Sequence, residues 1–325
     1  MGALRGLPGM CRRLPASVLV FAALFLLLAI VTPRFLSLGN LTNVARVAAI
    51  LALASYGQAI AIITGGLDFS AGSSVALVSV IVVLAAEPFG GGAALGLGAL
   101  TAIAIGAANG ILIGRFELPP FLATLGMLIG IWGLANMLVG GIPLEAPASL
   151  NAAWLGQARV AGIPVPVIAA AAGYGILWLL LRQTVLGRSW YLLGANRRAA
   201  HAAGIAVPRS LFLAYLIAGA FTAAAGLILT ARVNSGQPNL YPSLPFEAIA
   251  ACAVGGLSLS GGAGRPLQVL MGVLTIAIIN NAVVLLNQPP ALQLMTIGAL
   301  TVLSVLLQQV RWRRPAREAR MAAEP

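Results

Sequence analysis

Four amide side chains stand inside long apolar runs of this sequence, where a polar group is conspicuous. They are Gln58, Asn136, Asn280 and Asn281. An amide both donates and accepts hydrogen bonds, so these side chains could bind the hydroxyl groups of a neutral solute. The same amides could instead join neighbouring helices by hydrogen bonds. We treat them as candidates for a solute path, with helix packing as the alternative.

The motif GGLDFSAGS (65–73) places an acid, Asp68, between two apolar runs. Glycines such as Gly65 and Gly66 end helices readily because they adopt positive φ. Asp68 and Ser70 could then accept from the amides that open the next helix, which would begin near Gly72. Alternatively, Asp68 contacts a substrate or partner, since ionisable groups at a membrane edge are costly.

A second acid, Glu247, follows Pro245 in the apolar stretch FEAIAA. An acid in the first turn of a helix is favoured by the helix dipole. The alternative is that Glu247 lines a path or contacts a partner.

Several enzymatic chemistries are excluded by residue type. His201 is the only histidine, and the two cysteines, Cys11 and Cys252, are isolated. No histidine-based metal site or catalytic triad can be built without His201. The chain has no lysine, so it has no P-loop lysine for ATP hydrolysis. We expect neither an enzyme nor a cofactor bound by this chain.

The composition predicts a membrane protein. Of 325 residues, 60% are hydrophobic and 8% charged, with mean hydropathy +0.99. Apolar runs recur at the roughly 17–25 residues that cross a bilayer, without the alternation of a membrane barrel. We predict one all-α transmembrane domain with ten helices, of which 71–87 and 245–259 are short enough to be broken or re-entrant. The ten segments are 16–32, 41–63, 71–87, 93–114, 121–140, 164–181, 210–230, 245–259, 266–286 and 291–310.

The basic residues predict the orientation. All 19 are arginine, and they lie between apolar segments, so the net charge of +12 indicates membrane topology and no nucleic acid. With both termini in the cytoplasm, most arginines are cytoplasmic, whereas Arg34, Arg159 and Arg232 are outside. The first segment resembles a secretory signal but is longer, so we expect it to be retained. Residues 311–325 form a basic cytoplasmic tail.

The sequence also contains a hint of duplication. GGLDFSAG (65–72) is similar to GGLSLSGG (255–262), so that Gly255, Gly256 and Gly262 correspond to Gly65, Gly66 and Gly72, and Gly261 corresponds to Ala71. Transporters often consist of two related halves with the path between them. We therefore predict two related halves.

The polar, basic stretch 182–209 is flanked by apolar segments on both sides. Residues 190–205 within it predict a short helix at the membrane surface. Such a helix is either a docking element for a soluble partner or part of an ordinary loop.

Together these stretches resemble the membrane-spanning permease subunit of bacterial ATP-binding-cassette importers for ribose and related sugars. The matching stretches are GGLDFSAGS (65–73), NGILIGRFELPPFLATLGM (109–127), GRSWYLLGANRRAAHAAGI (187–205), FEAIAACAVGGLSLSGGAGRP (246–266) and NN (280–281). They occur in the family's order and spacing.

The resemblance implies an inner-membrane subunit with three kinds of protein partner. These are cytoplasmic ATPase subunits that use ATP and Mg²⁺, a periplasmic solute-binding protein, and a second permease subunit, identical or paralogous. It also implies that 182–209 contains the coupling helix. Residues on the family's small-residue pattern there are Gly194, Asn196, Ala199, Ala200, Gly204 and Ile205. Arg197 and Arg198 depart from the composition common at that point.

Two other classes of membrane protein remain as alternatives. A secondary transporter would need intramembrane acids or histidines as relays, and a membrane enzyme would need clustered nucleophiles, acids or metal ligands. Within the importer class, nucleosides and other solutes are alternatives to a monosaccharide such as ribose.

Overall fold

Ten apolar helices, joined by shorter elements, run through the part of the chain that the computed structural model describes, residues 16–321. Side chains are described within 17–289 and 291–306. The ten helices are α1 (Ala16–Val31), α2 (Leu38–Ile63), α3 (Ala71–Phe89), α4 (Gly91–Gly114), α5 (Pro120–Val139), α7 (Val165–Gln183), α10 (Val207–Val233), α11 (Leu244–Gly255), α12 (Pro266–Leu285) and α13 (Pro290–Met321). The short helices are α6 (Ala153–Gly156), α8 (Val185–Ala195) and α9 (Arg197–Ala202), with 3-10 turns at Pro33–Leu36 and Ala148–Leu150.

Seven helices in the described range are long and apolar enough to cross a membrane: α2, α3, α4, α5, α7, α10 and α12. Three shorter apolar helices are Ser17–Val31, Leu244–Gly255 and Ala291–Leu306. The chain is therefore an all-α, multi-pass membrane protein, as the composition predicts. Ten spans, cytoplasmic termini and two related halves stay predictions.

The largest differences from the sequence-based boundaries are at two helix ends. The segment predicted at 245–259 ends at Gly255, because Gly256 adopts φ +96 and closes the helix with a left-handed residue. Helix α13 continues to Met321 instead of ending at residue 310, through residues such as Ala and Arg that favour helix. The remaining parts of the predicted chain, 1–15 and 322–325, lie outside the described residues.

Helix α2 is the centre of the structure. Every residue from Ala48 to Ile63 is buried, against α7, α10, α11 and α12. By contrast, only 22% of the apolar window of α5 is buried, compared with 89% for α2. The exposed side of α5 is therefore an outer face of this chain.

Helices α4 and α10 approach closely along a glycine stripe. Gly106, Gly110 and Gly114 recur every four residues and lie on one face of α4. A Cβ on Gly106 would lie 2.9 Å from the Cα of Gly219 in α10, and one on Gly110 would lie 2.8 Å from the Cα of Phe212. Small residues at this spacing let two membrane helices meet backbone to backbone.

Strand structure in the described residues is limited to two small antiparallel pairs. Strand β1 (Leu144–Glu145) pairs with β4 (Ser235–Gly236), and β2 (Arg159–Val160) pairs with β3 (Ile163–Pro164). The β1–β4 pair fastens the loop after α5 to the loop after α10.

Candidate functional site

Three glycine segments from distant parts of the sequence meet at one end of the molecule, which we call the coupling end. A Cβ on Gly194 would overlap the carbonyl of Ile63 and lie 2.6 Å from the backbone nitrogen of Gly262. A Cβ on Gly261 would lie 2.8 Å from the Cα of Gly65. The Gly262 N–H also donates to the Ile63 carbonyl at 3.0 Å. Helix α8 and both glycine motifs therefore form a single junction at the end of α2.

Helix α8 is held to this junction by two further contacts. Trp190 is fully buried and its Nε1 donates to the Ser210 carbonyl at 3.0 Å. The Tyr191 hydroxyl donates to the Gly264 carbonyl at 2.8 Å. Burial raises the pKa of Tyr191, although the Arg182 and Arg265 charges partly oppose this. The phenol therefore keeps its proton, and its donor role, throughout the neutral range.

The short helix α9 projects from the junction. Its N-cap is Asn196, whose Oδ1 accepts from the Ala199 N–H at 3.0 Å. Arg197, Arg198 and Ala199 are exposed on its surface. A polar cap and an exposed basic surface are consistent with a docking element.

Two residues predicted for the docking surface face inward. Ala200 is buried, and Ile205 packs against the same apolar cluster. These two side chains hold α9 against the body, which leaves Asn196, Ala199 and Gly204 accessible. Gly204 has φ +82, so its backbone conformation requires glycine. A cavity of about 240 Å³ lies beside α9, lined by residues that include Thr64, Gly66, Asn196 and Ser260.

The GGLDFSAGS motif forms a non-helical entry to α3. Asp68 Oδ1 accepts from the Ser70 N–H at 2.9 Å and from the Ser70 hydroxyl at 2.6 Å. The Ser70 hydroxyl also accepts from Asn109 Nδ2 at 2.8 Å, so it makes no bond to the first turn of α3. The prediction that Ser70 caps α3 is therefore wrong, whereas Asp68 accepts, as predicted, from a backbone amide at the start of this helix, the N–H of the N-cap residue Ser70. Asp68 is buried, with no open approach for a substrate.

A second non-helical segment, residues 237–243, runs through several turns between α3 and α5. Ser79 Oγ accepts from the Gln237 N–H at 3.0 Å, and Trp132 Nε1 donates to Asn239 Oδ1 at 2.6 Å. At its end, a Cβ on Gly72 would lie 3.0 Å from the Tyr241 carbonyl. The starts of α3 and α11 therefore lie side by side.

Glu247, four residues after the end of this segment, forms a buried polar network with it and with α12. Its carboxylate accepts from the Tyr241 hydroxyl at 2.8 Å, from the Ser243 hydroxyl at 2.8 Å and from Asn280 Nδ2 at 3.1 Å. Glu247 lies in the first turn of α11, the position that its place after Pro245 predicts.

The two glycines that end α11, Gly255 and Gly256, adjoin the start of α12. A Cβ on Gly255 would overlap the Gln268 carbonyl, and Gln268 Nε2 donates to the Gly256 carbonyl at 3.1 Å. This contact positions the second glycine motif for its meeting with the first.

The four predicted path amides do not come together. With its amide turned so that both atoms are paired, Gln58 bonds to the Asp68 carbonyl at 2.9 Å and to its N–H at 3.2 Å. Asn280 bonds to Glu247, and Asn281 Nδ2 donates to Asn40 Oδ1 at 2.8 Å. Asn136 donates to the Trp132 carbonyl in its own helix. The contacts of Gln58, Asn280 and Asn281 join separate elements, which matches the alternative stated for amides in apolar helices, whereas the contact of Asn136 stays within α5. The role of the four amides in a path stays a prediction.

An aromatic cluster and a cleft lie on the exposed side of α5, and sequence reasoning predicted neither. Phe69 contacts Phe121 with ring centroids 5.4 Å apart and Phe246 at 5.8 Å. Trp132, further along α5, borders the cleft. The one available signal is the pair Pro238 and Pro242, which indicates extended chain between apolar helices.

These features define a polytopic α-helical membrane protein with an exposed short helix, α9, next to a junction of glycine backbones. The chain belongs to the family described as "Branched-chain amino acid transport system / permease component", whose model matches residues 40–305.

Several individual relatives are sugar permeases. The chain is 38% identical to the ribose import permease protein RbsC of Bacillus subtilis, over 89% of this chain and 91% of the relative. It is 33% identical to RbsC of Escherichia coli K12, over 88% and 91%. It is 30% identical to the galactose/methyl galactoside import permease protein MglC of E. coli K12, over 91% and 94%. No solved structure matches this chain.

Proposed function

We propose that this chain is the bacterial inner-membrane permease subunit of an ATP-binding-cassette importer for a monosaccharide. Cytoplasmic ATPase subunits, using ATP and Mg²⁺, would dock at the coupling end, and a periplasmic binding protein would deliver the sugar at the opposite end. A second permease subunit, identical or paralogous, would complete the path.

The observation that carries the proposal is the attachment of α9. The exposed surface of this helix is joined through Gly194 to the ends of both glycine motifs. A force on α9 is therefore transmitted directly to the residues before α3 and after α11. Such an arrangement suits a helix that is moved by a soluble partner.

The relatives favour a sugar over an amino acid. The family description names branched-chain amino acids, whereas the ribose and galactose permeases match over about nine-tenths of this chain. A ribose-like pentose is the first candidate, and a nucleoside remains the alternative.

The buried acids argue against an ion-coupled secondary transporter. Asp68 and Glu247 are 5% and 1% exposed, and each carboxylate is bound by neighbouring side chains. A proton or sodium relay needs an ionisable group with access to a water-filled path. Neither acid has that access in this structure.

The test is purification of the tagged chain in mild detergent with identification of its companions. We expect a P-loop ATPase with the wild type and its loss with Ala199→Arg, because Ala199 is exposed on α9. Ala148→Arg, the same change at an exposed site far from α9, is the control and should retain the ATPase. Gly204→Arg is unsuitable, since φ +82 would strain any side chain.

Recovery of the ATPase with Ala199→Arg at wild-type yield would refute docking through α9. Uptake into vesicles driven by an ion gradient, without any ATPase, would refute the importer and favour a secondary transporter.

A further inference from the structure

A cleft of about 230 Å³ opens between α3, α5 and the non-helical segment 237–243. Its walls include Ser73 and Ala76 of α3, Leu128 and Trp132 of α5, and Asn239 and Tyr241 of the segment. The Trp132 Nε1 to Asn239 Oδ1 hydrogen bond of 2.6 Å ties two of these walls together.

The cleft lies deep in the membrane-spanning part of the chain. Helix α11 starts at Leu244, directly after the segment, and its 12 residues are about 18 Å long. That is more than half of a hydrocarbon core about 30 Å thick. Because α11 leads to the coupling end through Gly255 and Gly261, the segment lies near the middle of the membrane.

Non-helical chain at that depth cannot face lipid. Asn239 and Pro242 are exposed in this chain. Non-helical backbone is tolerated within a membrane only where protein covers it or where it lines a water-filled cavity. The cleft side of α5 therefore faces an aqueous path, or a second subunit across that path.

The chemistry of the walls suits a small neutral polyol. Trp132 is 49% exposed and presents a flat apolar face. Asn239 Oδ1 is occupied by the indole N–H, which leaves its Nδ2 as a donor for a hydroxyl oxygen. None of the lining residues is charged. The volume is below the roughly 300–1,000 Å³ of sites for drug-sized ligands, as expected for a single monosaccharide.

We infer that this cleft holds the sugar during its passage, with the apolar face of the ring against Trp132 and a hydroxyl at Asn239. The inference rests on the proposed function and names the site that this function uses. Unlike the four amides predicted from the sequence to line a path, Trp132 and Asn239 lie in one cleft.

The first test is uptake of radiolabelled D-ribose into vesicles that contain the complete transporter with its ATPase and binding protein. Trp132→Ala should lower uptake about fivefold to tenfold, the loss of one stacking contact. Trp132→Phe, which keeps a flat ring, should be intermediate. Met137→Ala, exposed on α5 outside the cleft, should match the wild type.

The second test is independent of the folding of Trp132 variants. In a Cys11→Ser background, where Cys252 is buried, Leu128→Cys places a thiol in the cleft. D-Ribose should slow its modification by a methanethiosulfonate reagent, whereas modification of Met137→Cys should not change. Wild-type uptake by Trp132→Ala, or no protection of Leu128→Cys while the wild type imports D-ribose, would overturn the inference.

A different result would refute the proposed function itself. A wild-type transporter that imports L-leucine but neither D-ribose nor D-galactose would refute the sugar assignment itself, and the ligand of the cleft with it.

Discussion

Gly194 and Gly262 touch backbone to backbone at the carbonyl that ends α2. The Gly262 N–H donates to Ile63 at 3.0 Å, and a Cβ on Gly194 would lie 2.6 Å from the Gly262 nitrogen. This contact joins α8, the helix that leads into α9, to the second glycine motif without any intervening side chain. Movement of α8 must therefore move Gly262 or break the contact.

Gly194→Ala should separate this junction. The added methyl would overlap the Ile63 carbonyl, and such overpacking costs about 1–3 kcal/mol. We expect a lower midpoint of thermal unfolding in detergent and loss of ATP-driven uptake. Gly96→Ala, in α4 with open space around it, is the control and should unfold like the wild type. Wild-type uptake by Gly194→Ala would show that close packing here is not required.

Glu247→Gln should destabilise the non-helical segment 237–243, which contains two of the donors to Glu247. The carboxylate accepts from Tyr241, Ser243 and Asn280, and an amide would turn its NH₂ group toward at least one of these donors. Leaving a buried donor unpaired costs about 1–3 kcal/mol. Thermal unfolding in detergent measures the effect, with the exposed Glu145→Gln as the matched change. Equal midpoints for the two variants would contradict the network.

Two substitutions of Asp68 separate a structural role from proton transfer. Asp68→Asn keeps the Oδ1 acceptor for the Ser70 N–H and hydroxyl, so we expect uptake near that of the wild type. Asp68→Ala leaves both donors unpaired, at a cost of about 1–3 kcal/mol, and should unfold at lower temperature. Loss of uptake in Asp68→Asn with unchanged stability would instead indicate that the carboxyl carries a proton.

The apolar periodicity and the glycine motifs were sufficient to predict helices and family. Long runs such as the one in α2 admit only a buried or membrane-spanning helix, and the end of that run at Gly65 is set by local backbone chemistry. These features depend on neighbouring residues alone, so a single sequence contains them.

The contacts between residues distant in sequence could not be predicted in the same way. Nothing local indicates that Gly65 will face Gly261, or that Trp132 will bond to Asn239, 107 residues away. The amide of Asn280 shows why these contacts could not be predicted. It can bind a solute or a carboxylate equally well, and only the folded position of Glu247 shows that it binds the carboxylate. Asn239 was missed because it follows no helical or strand period.

Helix α1 packs against α12, which comes near the other end of the chain. Phe35, just after α1, packs with Leu28 against Ile278 of α12, and Asn40 exchanges hydrogen bonds with Asn281 across a sequence separation of 241 residues. At a synthesis rate of about 5–20 residues per second, α1 waits roughly 10–50 s in the bilayer before α12 emerges. Membrane assembly of this chain is therefore completed late, and a truncated product that lacks α12 leaves α1 without its principal neighbour.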